Sequence, residues 1–439
     1  MKTEVGLKIR SDILSLIKRH HEMFKFSLPL IASENIVSKT VKMSLISDFG
    51  HRYAEGWPEE RVYAGCRFID EVEKITINLF KKLYDAEFAD VRPISGVTAN
   101  LAVYTAFTKP GDIMMALSIA KGGHISMGKE KFGGTAGAVH GLKIEYFEYD
   151  IDEMNIDIDK TIRKINKLDL IGKTPKLVYF GGSVILRNQP VKELSEYLKS
   201  LGATIAYDAA HVAGLIAGKA FQNPLKDGAD VVSMSTHKTF FGPQRGAIIS
   251  YNRYSEKLKK AVFPGVVSNH HLNTLAGLAI AASEMIVFGE SYARDVIKTA
   301  KKLGELLYEK GLNVLGEKFG FTESHQLLID VSEHGGGREI EKRLEEAGII
   351  VNRNLLPYDP QKGRSFKNPG GIRLGVQEIV RLGITDEYMD QVSDFIYRVI
   401  TKKDDTRKIR EEVREFRKQF QNIKYSFDDN YNPYEFITF

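Results

Sequence analysis

Lys238 lies in the run Ser233-Met234-Ser235-Thr236-His237-Lys238-Thr239-Phe240-Phe241-Gly242-Pro243. A strand-like segment, 229–234, leads into small hydroxyl residues and then this one lysine, and a glycine-proline turn closes the run. A lysine at the buried end of a strand must desolvate its ammonium. Burial and cationic neighbours lower the pKa of such an amine, which can then form a Schiff base with a carbonyl compound. The same pattern also describes a solvated lysine at a strand end, because most lysines are exposed.

Thirty positions upstream, segment 203–207 reads as a buried strand ending in Asp208-Ala209-Ala210-His211. Pyridoxal phosphate chemistry needs a lysine for covalent attachment and a carboxylate beside the pyridine nitrogen, which keeps that nitrogen protonated as an electron sink. Asp208 at one strand end and Lys238 at a later one can supply both from one edge of a sheet. Asp208 could equally cap a helix, and His211 could be a packed core histidine.

The elements that must position these residues alternate. Strand candidates at 112–117, 176–180, 203–207, 229–234 and 246–251 are separated by helical stretches such as 190–201, which implies a mainly parallel α/β sheet with crossover helices. Segment 71–84 reads as a helix, and 7–24 as an amphipathic helix or an arm laid on a neighbour. After 286 the pattern changes to a helix at 291–310, a strand at 327–331, a helix at 338–347 and a strand at 348–351. The expected organisation is an N-terminal arm and dimer-contact segment over 1–60, a large cofactor-binding domain over 61–285 and a smaller α+β domain over 286–439.

The chain has 439 residues, 43% of them hydrophobic and 27% charged, so a normal globular core is expected. A diffuse net charge of +5 argues against nucleic acid and suits anionic small molecules. Cys66 is the one cysteine, which excludes a disulfide framework or zinc cluster within the chain and fits a reducing, cytoplasmic setting. No signal-peptide core and no membrane-spanning segment are expected. His270 and His271 have no carboxylate at ligand spacing, so no metal site is expected there.

Seven further segments, in one order and spacing, carry a family resemblance: Leu30-Ile31-Ala32-Ser33-Glu34-Asn35, Arg52-Tyr53-Ala54-Glu55-Gly56, Asp70-Glu71-Val72-Glu73, Gly122-Gly123-His124, Tyr207 through Leu215, Thr236-His237-Lys238-Thr239 and Gly371-Ile372-Arg373-Leu374-Gly375. The chain resembles the serine hydroxymethyltransferases from about 30 to 383. The resemblance implies an α/β fold-type I pyridoxal-phosphate transferase, similar to aspartate aminotransferase. It implies exchange of L-serine and glycine with a tetrahydropterin carrier, in a homodimer with interface active sites.

By resemblance, Lys238 is the Schiff-base lysine, Asp208 pairs with the pyridine nitrogen, His211 lies near the phenolic oxygen and His124 stacks on the ring. Ser95, Gly96, Val97 and Ser235 surround the phosphate, Ser183 lies near the ring and His237 is a further cofactor contact. An anion there suits a helix N-terminus, although the Ser95 run could be an ordinary N-cap. Arg373 would clamp the substrate carboxylate, a role that fits its planar and permanently charged guanidinium, and Ser33 would assist it. Glu55 would act as acid and base unless it pairs with Arg52 or Arg61. Tyr53 and Tyr63 would reach the neighbouring subunit's site. Ile119, Ile125 and Asn354 match carrier-contact positions.

The sequence departs from the family's usual pattern at four places: Val62-Tyr63-Ala64-Gly65, Ser95-Gly96-Val97, Gly242-Pro243-Gln244-Arg245-Gly246 and Val267-Ser268-Asn269-His270-His271. These departures surround the carrier and the subunit contact rather than the cofactor. They point to a divergent member, with a modified pterin as one carrier to consider beside tetrahydrofolate. A β-hydroxy amino acid aldolase and an α-methylserine hydroxymethyltransferase share the same core.

Overall fold

A computed structural model describes residues 2–402, 404–428 and 430–437. At its centre is a seven-stranded sheet in the order Phe88–Asp90, Gly246–Ser250, Val231–Ser235, Thr204–Asp208, Leu177–Gly181, Ile113–Ala116, Lys143–Tyr146. From Val231–Ser235 to Lys143–Tyr146 all neighbours pair in parallel, whereas Gly246–Ser250 runs antiparallel to both of its neighbours. The strands Leu177–Gly181 and Val231–Ser235 are buried along their whole length, and Thr204–Asp208 between them is buried from Ile205 on. They therefore read as apolar runs rather than as alternating patterns.

The parallel strands end at a common edge, where Asp208 lies in register with Gly181 on one side and Ser233 on the other. Ligands of open α/β sheets bind outside such carboxyl ends. Gly181 is required there: its φ is +81°, and a Cβ would collide with the backbone of Asp208.

A second, antiparallel sheet is ordered Asn313–Val314, Gln326–Asp330, Gly371–Gly375, Asn352–Asn354. The segment after the N-terminal helix Lys2–Lys25 straps this unit down. Leu28–Pro29 pairs in parallel with Ile349–Ile350, and Gly375 N donates to Leu30 O at 2.8 Å.

The helix expected at 291–310 is much longer. It runs unbroken over Leu272–Glu309, 38 residues, across position 285. Its first half is rich in Ala, Gly and Leu and is packed on several sides, so it shows no single apolar stripe. By length and composition alone this helix could cross a membrane. It packs as a core helix against Arg67–Tyr84 and Met389–Ile400.

Candidate active site

Asp208 ends the strand Thr204–Asp208 and is 3% exposed. Its Oδ1 accepts from Ala210 N at 2.9 Å and its Oδ2 from Asn100 Nδ2 at 3.0 Å. Asn100 also donates to Ser126 Oγ at 2.9 Å and accepts from Tyr179 Oη at 2.9 Å. Ser126 Oγ lies 2.8 Å from His124 Nδ1, which also accepts from Ser126 N at 3.1 Å. A chain of buried polar groups thus ties the Asp208 carboxylate to the His124 ring. Burial lowers the His124 pKa, aided by the Lys238 and Arg373 charges, while Asp208 acts in the opposite direction.

Lys238 follows the strand Val231–Ser235, in the turn that Gly242 N closes by donating to Thr236 O at 2.7 Å. Asn35 Nδ2 donates to the Lys238 carbonyl at 2.6 Å and holds the turn. Burial pulls the Lys238 amine down to about 8; Arg373 adds to this, and Asp208 offsets part of it. His237, next in the chain, is pulled down to about 3 by burial and by Lys238.

Arg373 lies in the buried strand Gly371–Gly375 of the smaller sheet. Its Nη1 donates to Ser183 O at 2.7 Å and its Nε to Asn352 Oδ1 at 3.2 Å. Among the described residues no carboxylate pairs with it, and burial lowers it to about 10. A buried guanidinium whose partners are all neutral is short of an anion.

The helix Gly96–Phe107 begins at this same edge. Ser95 caps it, its Oγ accepting from Thr98 N at 3.1 Å, so the N-cap reading holds for that side chain. Gly96 presses on Ser235, whose Oγ a Cβ at 96 would strike. Backbone N–H groups and the helix dipole here favour an anion. An amine held near neutrality, an acceptor carboxylate in the next strand end, an anion-seeking helix start and an unpaired guanidinium together fit pyridoxal phosphate and an amino-acid carboxylate.

Tyr53, Glu55 and Tyr63 form a cluster of their own with Ser268. Among the described residues no hydrogen bond, ion pair or ring contact joins them to Lys238, Asp208 or Arg373. The Tyr53 and Tyr63 rings lie 5.0 Å apart, and both residues are nearly half exposed. Glu55 pairs with neither arginine that could have neutralised it. Arg52 binds Asp48, and Arg61 binds Asp70 and Glu73. Instead, Glu55 Oε1 accepts from Ser268 Oγ, which also lies 3.1 Å from Tyr53 Oη.

Ser268 sits in the departing run 267–271, which another departure props from beneath. Arg245 is fully buried and donates to the carbonyls of His270, His271 and Val91. His270 is buried too, with Nε2 3.2 Å from Glu73. Burial works to raise the Glu73 carboxyl, but His270 and Arg61 outweigh it and hold it at about 2. Cys66 fills space nearby, its Sγ 3.5 Å from Tyr53 O.

The remaining residues are more scattered. Ser33 lies in the strap beside Ala32, whose carbonyl accepts from His325 Nε2 at 3.1 Å. Ile119 and Ile125 belong to two short 3-10 turns flanking His124, and Asn354 pairs in register with Gly371. Asn100, Ser126, Gln326, His325 and Asn352 were not singled out in the sequence. Asn100 could have been, because an amide buried in the Ala-rich stretch Ala99-Asn100-Leu101-Ala102 needs a partner.

Comparisons with known proteins point to one family. The profile of the family "Serine hydroxymethyltransferase" matches residues 8–396. Proteins of that name from Korarchaeum cryptofilum and Nitrosopumilus maritimus are 56% and 54% identical to this chain, over 96% and 97% of it and 97% of each relative. The one from Methanocaldococcus jannaschii is 48% identical over 98% of this chain and 99% of its own length. Among solved structures, L-threonine transaldolase from Pseudomonas fluorescens, in its internal aldimine state, superposes with a TM-score of 0.86 at 29% identity, covering 97% of this chain and 95% of its own. With Lys238, Asp208 and Arg373 set in a fold-type I architecture, the chain belongs to the serine hydroxymethyltransferase family.

Proposed function

We propose that this chain interconverts L-serine plus a tetrahydropterin with glycine plus the methylene-tetrahydropterin, in the cytoplasm, as a homodimer. The observation that carries the reading is the buried, acid-free Arg373 beside a lysine held at about 8. Pyridoxal phosphate, when bound, takes up the electron pair released at the substrate α-carbon.

The chain's own residues do the rest. Lys238, reacting as the neutral amine, would be the residue that attaches the cofactor. Asp208 would keep the proton on the ring nitrogen, and His211 would donate to the phenolic oxygen. His124 would stack on the ring, with Ser183 and His237 nearby. Gly96 N–H, Val97 N–H and Ser235 would surround the phosphate, with Ser95 capping the helix Gly96–Phe107. Arg373, assisted by Ser33, would bind and orient the substrate carboxylate. Ile119, Ile125 and Asn354 flank the carrier.

Glu55, Tyr53 and Tyr63 serve the partner subunit's site, where Glu55 exchanges protons with the hydroxymethyl oxygen. Support for this comes from the lack of a hydrogen bond, ion pair or ring contact joining them to Lys238 among the described residues. It also comes from the helix Lys2–Lys25, which buries no residue and leaves Leu7, Ile9, Ile13 and Leu16 in solvent.

The test is an absorbance titration with glycine, adding tetrahydrofolate and tetrahydromethanopterin in turn. A long-wavelength band enhanced by one of them identifies both reaction and carrier. Cleavage of β-hydroxy amino acids indifferent to either carrier would instead assign an aldolase.

A further inference from the structure

We infer that Gln326 is a positioning residue that fixes the ring hydrogen of His211 on Nε2. The inference rests on the reading of His211 as a residue facing the cofactor. Gln326 opens the strand Gln326–Asp330 and is fully buried. Backbone groups on both sides set its amide: Oε1 accepts from Ile185 N at 2.7 Å, and Nε2 donates to Ser183 O at 2.8 Å. A peptide N–H and a peptide C=O cannot exchange roles, so a flipped amide would lose both bonds.

The second Nε2 hydrogen meets His211 Nδ1 at 2.8 Å. Nδ1 is therefore an acceptor, and the neutral ring carries its hydrogen on Nε2. A second neighbour agrees. His325 Nε2 must be an N–H, because it faces the Ala32 carbonyl at 3.1 Å, and it lies 3.4 Å from His211 Nδ1. A doubly protonated His211 would need an acceptor at Nδ1, where the fold supplies the Gln326 N–H and a His325 Nε2 that already carries its own hydrogen. The charged and titratable groups facing it, Arg373, Lys238, His325 and His124, all oppose a further positive charge.

His211 is thus a fixed donor from Nε2 rather than a proton shuttle. Gln326 also shares the Ser183 carbonyl with Arg373, which donates to it at 2.7 Å. One amide therefore sets both the histidine tautomer and the seat of the carboxylate clamp, from the smaller sheet to the larger.

The test is histidine-selective 15N labelling of the full chain loaded with pyridoxal phosphate, with His211 assigned by His211→Asn. Long-range 1H–15N spectra should show His211 neutral and protonated on Nε2 from mild acid to alkaline pH. Gln326→Glu keeps the shape but offers only acceptors, so the hydrogen should appear on Nδ1. Gln326→Leu should give mixed tautomers. A wild-type signal protonated on Nδ1, or a Gln326→Glu spectrum identical to wild type, overturns the inference. Should neither variant fold, the wild-type spectrum alone decides. Turnover is not needed, so a wrong tautomer leaves cofactor capture by Lys238 intact, whereas failure of that capture sinks the functional reading instead.

Discussion

Asn100 donates from Nδ2 to Oδ2 of Asp208 at 3.0 Å, from one helix turn inside Gly96–Phe107 to the end of the neighbouring strand. Asn100→Leu removes that donor and leaves buried acceptors unpaired, at a cost of about 1–3 kcal/mol. The binding of pyridoxal phosphate, followed by absorbance, should weaken by roughly one to two orders of magnitude. Unchanged affinity would mean that the Asp208 carboxylate needs no support from below.

Lys238→Ala should abolish covalent capture. Borohydride treatment of the loaded variant, followed by peptide mapping, should find no cofactor on the chain. Label fixed to any other lysine refutes the assignment.

The Lys238 amine is held at about 8, chiefly by burial. Only the unprotonated amine attacks an aldehyde. Capture of pyridoxal phosphate by the cofactor-free chain should therefore slow about tenfold for each pH unit below that value, and level off above it. Stopped-flow absorbance across this range checks the midpoint. A midpoint near that of an ordinary lysine would contradict the role of burial.

Arg373→Ala deletes the proposed carboxylate clamp, and a desolvated pair of that kind is worth about 2–5 kcal/mol. The KM for serine should rise by on the order of a hundredfold or more. Binding of pyridoxal phosphate alone should change far less. A KM like that of wild type would leave the guanidinium without a substrate role.

Ser268→Ala removes the hydroxyl that holds Glu55. Proton exchange should suffer while serine binding does not, so kcat should fall roughly tenfold at constant KM. Arg245→Ala should lower Tm, because the carbonyls of Val91, His270 and His271 lose their donor.

Much of this was legible because its physics is local. Buried parallel strands announce themselves as apolar runs, and Asp208 and Lys238 stood out as charges at the ends of such runs. The edge strands Phe88–Asp90 and Lys143–Tyr146 were not recovered, because both are short and neither is strongly apolar. The helix Leu272–Glu309 was recovered only in its later half, where one face meets solvent and a periodicity exists. Gln326 and Asn100 stayed hidden for a different reason. Their importance comes from partners 115 and 108 positions away, a separation no local pattern reports. The link between Arg245 and the 267–271 run escaped in the same way: the two departures looked independent in sequence and proved to be joined by hydrogen bonds from Arg245 to the His270 and His271 carbonyls.

The helix Leu272–Glu309 rises through about 57 Å, with Arg67–Tyr84 and Met389–Ile400 both packed against it. The two sheets are therefore mounted on a single beam. On the proposed reading, the span between the amine of Lys238 and the guanidinium of Arg373 is set when the chain folds. The enzyme then gauges its amino acid as a fixed calliper does. An α-amino acid bridges the jaws whatever its side chain, whereas a β-amino acid, with one more carbon between its charges, is refused by reach and not by charge.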